Sequence, residues 1–438
     1  MAGGTYTTQN KIRPGIYINF VSEGQLPGTL GERGTASIAL NLDWGAPKKM
    51  VTIVAGDNTQ KTLGYDYTSS QMMLIREALK RAQKLIVYRL NDGEKSTVKA
   101  GVLTATARYG GIRGNQLTIT VEKNINNETL FDVSTLLDGS SVDKQTVSNA
   151  KELVANDYVV FAGEGALTAT AGAPLVGGTS AAATNADHTA YLAELEALEF
   201  QTVGLISDEA SLKSVYAAYI KRLRNTEGKK VQAVLANYPN ADQEGVISVK
   251  NGVVLTDGTV LDAKKSVAWV TGATAGAAVN SSLTYTAYDD AVDVNGKLTH
   301  SETEAALQKG EFVFTAVNDR AVVEQDINTF VSYTPEKARH FAKNRVVRVL
   351  DSIGNDMKRI FESYFIGKVN NNNDGRSLFR SQCIAYLDDL QNIGAVQNFN
   401  AQTDITVTAG NEVDSIVVEL NVQPVDSVEK VYMKVKVV

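Results

Sequence analysis

Three histidines, His188, His300 and His340, are the side chains best suited to metal binding or to acid–base catalysis near neutral pH. Zinc proteases place two histidines on one helix in the pattern H-E-x-x-H, so that both rings reach the metal. The histidines here are far apart, and neither that pattern nor an acidic metal cluster accompanies them. We predict structural or surface roles for all three, with no metal site and no cofactor.

Ser180 lies in the run Gly178-Thr179-Ser180-Ala181, which is similar to the nucleophile turn of subtilisin-like proteases. Those enzymes carry their catalytic residues in the chain order Asp, His, Ser. Every histidine follows Ser180 in this sequence, so that order is impossible. We interpret residues 163–186, which are rich in Gly, Ala and Thr, as a linker.

Glycines at positions 110, 111 and 114 do not have the spacing of a dinucleotide-binding loop, and a tight turn between strands is expected there. The sequence also has no G-x-x-x-x-G-K-[ST] motif for a nucleoside triphosphate. The candidate acid pairs are interpreted as solvated surface groups: Glu194, Glu196, Glu199, Asp289 and Asp290. We therefore predict no catalytic residue and no enzymatic activity.

Composition narrows the class of protein. The chain has 438 residues, of which 43% are hydrophobic, so about two to four domains with buried cores are expected. Its net charge of −6 argues against nucleic acid as a partner, and its single cysteine excludes an internal disulfide. The sequence shows no secretory signal and no membrane-spanning apolar run. We expect a protein of a reducing, aqueous compartment, without membrane insertion.

Strand and helix signals alternate in two stretches, residues 23–95 and 186–330, which is typical of an α/β domain. Residues 96–185 are rich in short strand signals and predict an inserted β-rich domain. The predicted strands are 36–40, 50–54, 85–90, 201–206, 231–236 and 267–270, and the predicted helices are 70–84, 191–198, 210–225 and 272–279.

Residues 331–410 predict a helical domain. Thr334-Pro335-Glu336 has the residue types of a helix start, and a helix is expected from there to about Gly367. Its apolar seam is Val346, Leu350, Ile353, Met357, Ile360 and Tyr364. After a polar loop at 370–375, the seam of a second helix is Phe379, Cys383, Tyr386, Leu387 and Leu390.

Both chain ends alternate apolar and polar residues as strands do. The apolar positions are Ile12, Ile16, Ile18 and Phe20 in an N-terminal arm (residues 1–22), and Ile416, Val418, Leu420, Val422, Val431, Met433, Val435 and Val437 in the C-terminal strands (residues 411–438). Neither end has an obvious local partner, and an apolar strand with an open edge invites pairing with another chain. We predict an assembly subunit that donates these strands to its neighbours.

Residues 336–380 carry ten Lys or Arg against five Asp or Glu, a net charge of +5. Arg376 and Arg380 are four residues apart and share a helical face. Two interpretations stay open, a solvated basic face and a docking surface for an acidic partner.

Several motifs, in this order, resemble the contractile-tail sheath proteins of myophages and R-type bacteriocins, in particular those of clostridia and bacilli. The matching segments are residues 13–17, 107–115, 177–179, 306–314, 320–329 and 344–348. The resemblance covers essentially the whole chain. It implies a subtilisin-like α/β core without a catalytic triad, an inserted β-sandwich, and an α+β C-terminal domain with strand-donating N- and C-terminal arms.

The resemblance also implies partners. Subunits of this family form stacked hexameric rings around an inner tail tube and contract to drive the tube through a bacterial envelope. Baseplate and tail terminator are further partners, and the particle, a virion or a bacteriocin, is assembled in the host cytoplasm. By this resemblance a C-terminal helix docks on the tube. Our tube-contact candidates are Arg376 and Arg380, then Lys358 and Arg359.

Three other functions are weighed against this one. An α/β enzyme would need a convergent polar site, which the sequence does not supply. Nucleic-acid binding by residues 336–380 conflicts with the long apolar seam there and with the acidic chain. A secreted surface-layer or adhesin protein would suit the Thr- and Asn-rich β segments, but the missing signal peptide counts against it.

Overall fold

The computed structural model describes residues 2–4, 15–17 and 31–437. The chain divides into two compact units. The large unit comprises Gly31–Asn355 and the terminal segment that starts at Pro424, whereas the small unit comprises Asp356–Gln423 with the N-terminal residues. Within the described ranges, no helix is long and apolar enough to cross a membrane.

A seven-stranded sheet forms the centre of the described part of the large unit. The order across it is Glu311–Phe312, Val246–Val249, Gln232–Ala236, Thr202–Gly204, Thr35–Leu40, Lys84–Arg89 and Met50–Val54. Neighbouring strands run parallel except at the edge, where Met50–Val54 is antiparallel. The inner strands are buried on both faces, which explains why their sequences are continuous apolar runs.

Helices pack on both faces of this sheet. Ala233 and Leu235 lie in one apolar cluster with helices Asn185–Glu196 and Ala210–Asn225. The alternate residues of the same strand, Val234 and Ala236, lie in a second cluster with helix Ala263–Gly276. Because successive strand residues point to opposite faces, the two clusters are the two faces of one α/β sandwich.

The prediction of a strand at 267–270 is wrong, because these residues belong to helix Ala263–Gly276. Residues 266–275 of this helix are all buried, so the sequence has no polar face that would reveal its helical period. Asp262 caps its start by accepting a hydrogen bond of 2.8 Å from Lys265 N. Gly272 permits close packing, since an added Cβ would lie 2.0 Å from the Ala78 carbonyl oxygen.

The predicted β-rich insertion is confirmed as two antiparallel sheets that share one core. One sheet has the order Ser140–Val147, Phe131–Leu137, Leu117–Lys123 and Thr170–Pro174, and the other Val159–Ala162, Leu103–Ala107 and Thr97–Ala100. Strand Thr170–Pro174 falls inside the predicted linker, so that prediction is wrong for this part. The strand was missed because it is an edge strand of small residues, of which Ala173 is the one buried apolar side chain.

The long helix spans Asn344–Tyr364, so the predicted start at Thr334 is wrong. Thr334 Oγ1 accepts a hydrogen bond of 3.0 Å from Lys337 N, as a helix cap would. However, Thr334 N also donates to the Lys337 carbonyl at 3.0 Å, which closes an isolated turn. A short 3₁₀ helix, Arg339–Ala342, follows before the long helix begins at the buried Asn344.

The small unit contains helix Asn373–Asn392, whose buried residues are those of the predicted seam. Strand Ile416–Leu420 pairs antiparallel with Ile405–Ala409 in a hairpin. The prediction that this strand lacks a local partner is therefore wrong, as is the helical assignment of residues up to 410. Burial raises the pKa of the single cysteine, Cys383, to about 12.

Several shorter elements complete the described chain. The helix predicted over 70–84 is shorter, Met73–Leu79 after a 3₁₀ turn, because strand Lys84–Arg89 follows it closely. The remaining helices are Thr59–Leu63 and His300–Gln308, and the remaining strands are Gly252–Leu255, Val260–Leu261, Ala291–Asn295, Phe314–Val317, Arg320–Val323, Val396–Gln397 and Gln423–Pro424.

Two short strands of the N-terminal arm, Ala2–Gly4 and Gly15–Tyr17, pair with each other in parallel. Ile16 lies in the second of them, so this position has a local partner, contrary to the prediction. The other predicted strand-exchange positions of this arm, Ile12, Ile18 and Phe20, lie outside the described residues.

Candidate assembly surface

The side chains first considered for catalysis have structural partners. Ser180 Oγ donates to Asp43 Oδ1 at 2.9 Å and accepts from Ile112 N at 3.2 Å. His188 is buried with its Nδ1 2.9 Å from the Tyr216 hydroxyl, and this burial lowers the histidine pKa. No group of three metal-ligating side chains occurs among the described residues. The exposed segments and the small unit are therefore the candidate functional surface.

Residues 425–437, here called the C-terminal arm, form neither helix nor strand. Its predicted strand-exchange side chains are exposed to water: Val431 is 75% exposed, Met433 80%, Val435 74% and Val437 95%. Tyr432, between them, is 90% exposed, so residues 431–437 of the arm pack on neither side. An extended apolar segment of this kind is ready to pair with a sheet edge.

The hairpin of the small unit offers such an edge. Its strands pair over five positions, from Ile405 with Leu420 to Ala409 with Ile416. In the part of the chain that the structure describes, these two strands form a sheet of their own. Within the described residues neither outer edge of this hairpin is paired, so each edge has backbone groups to which a further strand can bond.

Arg376 and Arg380 have intramolecular partners. Arg380 Nε donates to the Ile405 carbonyl at 3.1 Å, and its guanidinium also bonds the Ala401 carbonyl, which holds the hairpin onto the helix. Arg376 donates to Asn371 Oδ1 at 2.8 Å and to Asn373 Oδ1 at 2.6 Å. Both arginines are half-buried and organise the small unit itself.

Lys358 and Arg359 are both on the long helix, and each lies one helical turn away from an acidic partner. Lys358 Nζ is 3.9 Å from Glu362 Oε1, and the lysine side chain is 46% exposed. Arg359 lies 3.4 Å from Asp356 Oδ1, and the other Asp356 oxygen accepts a hydrogen bond of 2.9 Å from Tyr386. The four tube-contact candidates therefore split into two groups. Arg380 contacts the hairpin and Arg376 contacts the loop that precedes its own helix, whereas Lys358 and Arg359 lie on the long helix.

A groove of 650 Å³ in the small unit was missed by sequence reasoning. Three aromatic rings line it, with Phe379 centred 5.4 Å from Phe361 and 4.9 Å from Phe365. Lys368, Arg376 and Asp414 also line the groove, so it carries two cationic side chains and one carboxylate. The signal in the sequence was the spacing of Phe361 and Phe365, four residues apart beside the predicted seam.

Four family models match consecutive parts of the chain. The N-terminal region of domain III of tail sheath protein Gp18 matches residues 33–90, and the phage tail sheath β-sandwich domain matches residues 91–187. The phage tail sheath protein central domain matches residues 181–329, and the phage tail sheath C-terminal domain matches residues 336–438. Together they account for nearly all of the described chain.

Two curated proteins are similar to the chain, one over its whole length and one over about half of it. The phage-like element PBSX protein XkdK of Bacillus subtilis is 40% identical over 466 residues, which cover 100% of both chains. A tail sheath protein of Clostridium phage phiCD119 is 29% identical over 215 residues, 49% of this chain and 60% of the relative.

Solved structures share the fold. The sheath tail protein of Desulfitobacterium hafniense is 55% identical with a TM-score of 0.88, over 97% of this chain and 100% of that one. The Listeria innocua sheath tail protein is 40% identical with a TM-score of 0.81, over 92% and 95% of the two chains. The contracted helical sheath of the anti-feeding prophage, at 12% identity and a TM-score of 0.58 over 97% and 99%, shows the same fold.

Proposed function

Because the chain belongs to the phage tail sheath protein family and is a subunit of a contractile tail sheath, we propose that it forms stacked hexameric rings around an inner tail tube. Contraction of this sheath drives the tube through a bacterial envelope. The baseplate and the tail terminator bind the two ends, and the particle, a virion or a bacteriocin, assembles in the host cytoplasm. The surface-layer alternative has no support among the matched families.

Strand exchange is the proposed link between subunits, and the C-terminal arm is the observation that carries it. Four apolar side chains of this arm alternate along the chain and are at least 74% exposed in the isolated subunit. Pairing with a neighbour's hairpin, at Ile405–Ala409 or at Ile416–Leu420, would bury them and satisfy the open backbone groups of both segments. The N-terminal arm, with Ile12, Ile16, Ile18 and Phe20, is the proposed second donor.

The energy for contraction is proposed to come from assembly, since the sequence has no phosphate-binding loop for a nucleotide. The extended sheath is then a metastable arrangement, and the contracted one buries more surface between subunits. Contacts with the tube must guide assembly of the sheath and must still break when the sheath contracts. Exposed ion pairs, worth about 0–1 kcal/mol each, meet both needs, and Lys358, Arg359, Arg376 and Arg380 remain the candidates.

The finer description of the fold is also a proposal. We assign residues 23–95 and 186–330 to one subtilisin-like core and residues 96–185 to the inserted domain. Residues 331–410 with the strands at 411–438 form the domain that faces the tube. The mostly parallel sheet with helices on both faces supports the core assignment. We propose that this core serves as a scaffold without enzymatic activity.

Deletion of either arm tests strand exchange. A chain without residues 2–20, and one that ends at Lys430, should stay folded by circular dichroism, because the buried apolar core residues that the structure describes lie between Ala36 and Ile405. Neither should form striated tubes in negative-stain electron microscopy, whereas the full chain should form them without nucleotide. Normal tubes from both truncated chains would contradict the proposal.

A further inference from the structure

Glu429 differs from its neighbours in the C-terminal arm. Its side chain is 10% exposed, whereas Val428 before it is 86% exposed and Val431 after it is 75% exposed. The carboxylate accepts hydrogen bonds from Thr284 Oγ1 at 2.9 Å and Gln325 Nε2 at 3.2 Å, and forms an ion pair with Lys343. Glu429 therefore anchors the arm to the large unit immediately before residues 430–437, which are all exposed.

The donors around Glu429 are held by a buried network. Thr284 Oγ1 accepts a hydrogen bond of 3.0 Å from Asp326 N. The Asp326 side chain, 1% exposed, accepts one of 2.9 Å from Asn344 Nδ2, at the first residue of the long helix. Because these groups are fixed by packing and by each other, the anchor position is rigid relative to the core.

The anchor stands immediately before the strand-exchange positions. Lys430 alone separates Glu429 from Val431, and a strand advances by about 3.3 Å per residue. One connecting residue leaves almost no slack along the chain. Side chains alternate between the two faces of a sheet, so a shift by one residue would turn every apolar side chain of the arm to the opposite face.

We propose that Glu429 is a positioning residue, which fixes the register in which the arm pairs with the hairpin of a second copy of this chain. This inference rests on the strand exchange proposed above. Beyond strand exchange itself, it states that the donor subunit sets the register. The donor does so at a buried carboxylate, before its arm contacts the acceptor hairpin. The alternative is that the acceptor hairpin alone selects the register.

Insertions after Lys430 distinguish the two. One inserted serine moves the arm by one position and reverses its faces, whereas two inserted serines restore the original alternation. If Glu429 fixes the register, the critical concentration for tube formation should rise roughly tenfold or more with one serine, and clearly less with two. Equal critical concentrations for the two insertions, at whatever level, would overturn the proposal.

Removing the anchor should abolish this difference. In a Glu429→Ala background, the insertions of one and two serines should polymerise alike, because the arm is then free to adjust. Asp426→Asn is the matched control, since Asp426 is exposed and accepts a local hydrogen bond of 2.8 Å from the Ser427 amide, and it should preserve the difference. A difference that persists in Glu429→Ala would also overturn the proposal. Thermal melting of each monomer separates these effects from misfolding.

If strand exchange itself were wrong, the assembly results would differ from those expected if only the role of Glu429 were wrong. If the chain that ends at Lys430 formed normal tubes, the arm would not donate a strand, and the proposed link between subunits would be wrong. If that chain failed to assemble while both insertions assembled like the unmodified chain, strand exchange would stand and the role of Glu429 would be refuted.

Discussion

The Arg224 guanidinium donates two hydrogen bonds, of 2.6 and 2.8 Å, to the Asp351 carboxylate. The two side chains are 6% and 9% exposed, so this ion pair is buried. Burial acts to lower the pKa of Arg224, but the charge and hydrogen bonds of Asp351, together with the charge of Glu244, outweigh it and the pKa is raised. The pair joins helix Ala210–Asn225 to the first part of helix Asn344–Tyr364, within the large unit.

Substitution of Asp351 by Ala should destabilise the large unit strongly. Arg224 would keep its bond to the Val231 carbonyl and its longer contact of 3.9 Å with Glu244, but would lose both short hydrogen bonds to its buried carboxylate partner. Leaving one member of a buried ion pair without its partner costs about 3–5 kcal/mol. Chemical denaturation of the monomer, followed by circular dichroism, measures the loss of unfolding free energy.

Arg222→Met provides the control for this prediction. Arg222 lies on the same helix as Arg224 and pairs with Glu196 and Glu227, but these three side chains are 46%, 34% and 32% exposed. Exposed ion pairs contribute about 0–1 kcal/mol, so the loss should be small. Similar losses for Asp351→Ala and Arg222→Met would mean that burial does not set the strength of the Arg224–Asp351 pair.

The sequence predicted those elements whose periodicity is set by one buried face. The seam of helix Asn373–Asn392, from Phe379 to Leu390, is buried as expected. The inner strands of the large sheet were also found, because parallel strands buried on both faces are short continuous apolar runs. The alternating apolar positions at the end of the chain are exposed in the described chain, and their pairing with a neighbouring subunit stays a prediction.

The sequence did not predict features that depend on contacts distant along the chain. Helix Ala263–Gly276 is enclosed on all sides, so no polar face marked it as a helix. The polar side chains of Arg224, Asp351 and Glu429 gave no local sign that they would be buried, because their partners are far away in the sequence. Hydrophobic periodicity cannot locate pairs of this kind.

The inserted domain should lose stability in acid through Asp132. Hydrogen bonds from Asn124 at 2.9 Å and Thr146 at 2.7 Å, together with Lys144, lower the pKa of Asp132 to about 2 from its usual 3.8. Because the folded-state pKa is the lower one, this contribution is complete above pH 3.8 and is lost as the pH falls towards 2.

Acid titrations of the wild-type chain and of Asp132→Asn, followed by circular dichroism, measure this contribution. The variant should be less stable at neutral pH, and the difference between the two proteins should shrink between pH 4 and pH 2. Glu122→Gln, on the neighbouring strand opposite Asp132, is the matched control. A stability difference that stays constant across this range would show that the Asp132 charge is not responsible.

Assembly on the tube should separate the two sets of basic candidates. Arg380→Glu removes the bonds that hold the hairpin, so it should weaken both tube-free polymerisation and assembly on the tube. Lys358→Glu changes a side chain that is 46% exposed and lies on the long helix. It should leave tube-free polymerisation unchanged and reduce binding to the tube at low salt.

The measurement is co-sedimentation of the subunit with purified tail tubes, beside sedimentation of the subunit alone, at low and high salt. The Lys358→Glu defect should fade as salt rises, because screening weakens contacts between exposed charges. Lys297→Glu, in the large unit and 65% exposed, changes the net charge equally and should bind the tube normally. If Lys358→Glu binds like Lys297→Glu, Lys358 does not contact the tube. If Arg380→Glu loses only tube binding, Arg380 contacts the tube directly and its bonds to the hairpin are dispensable.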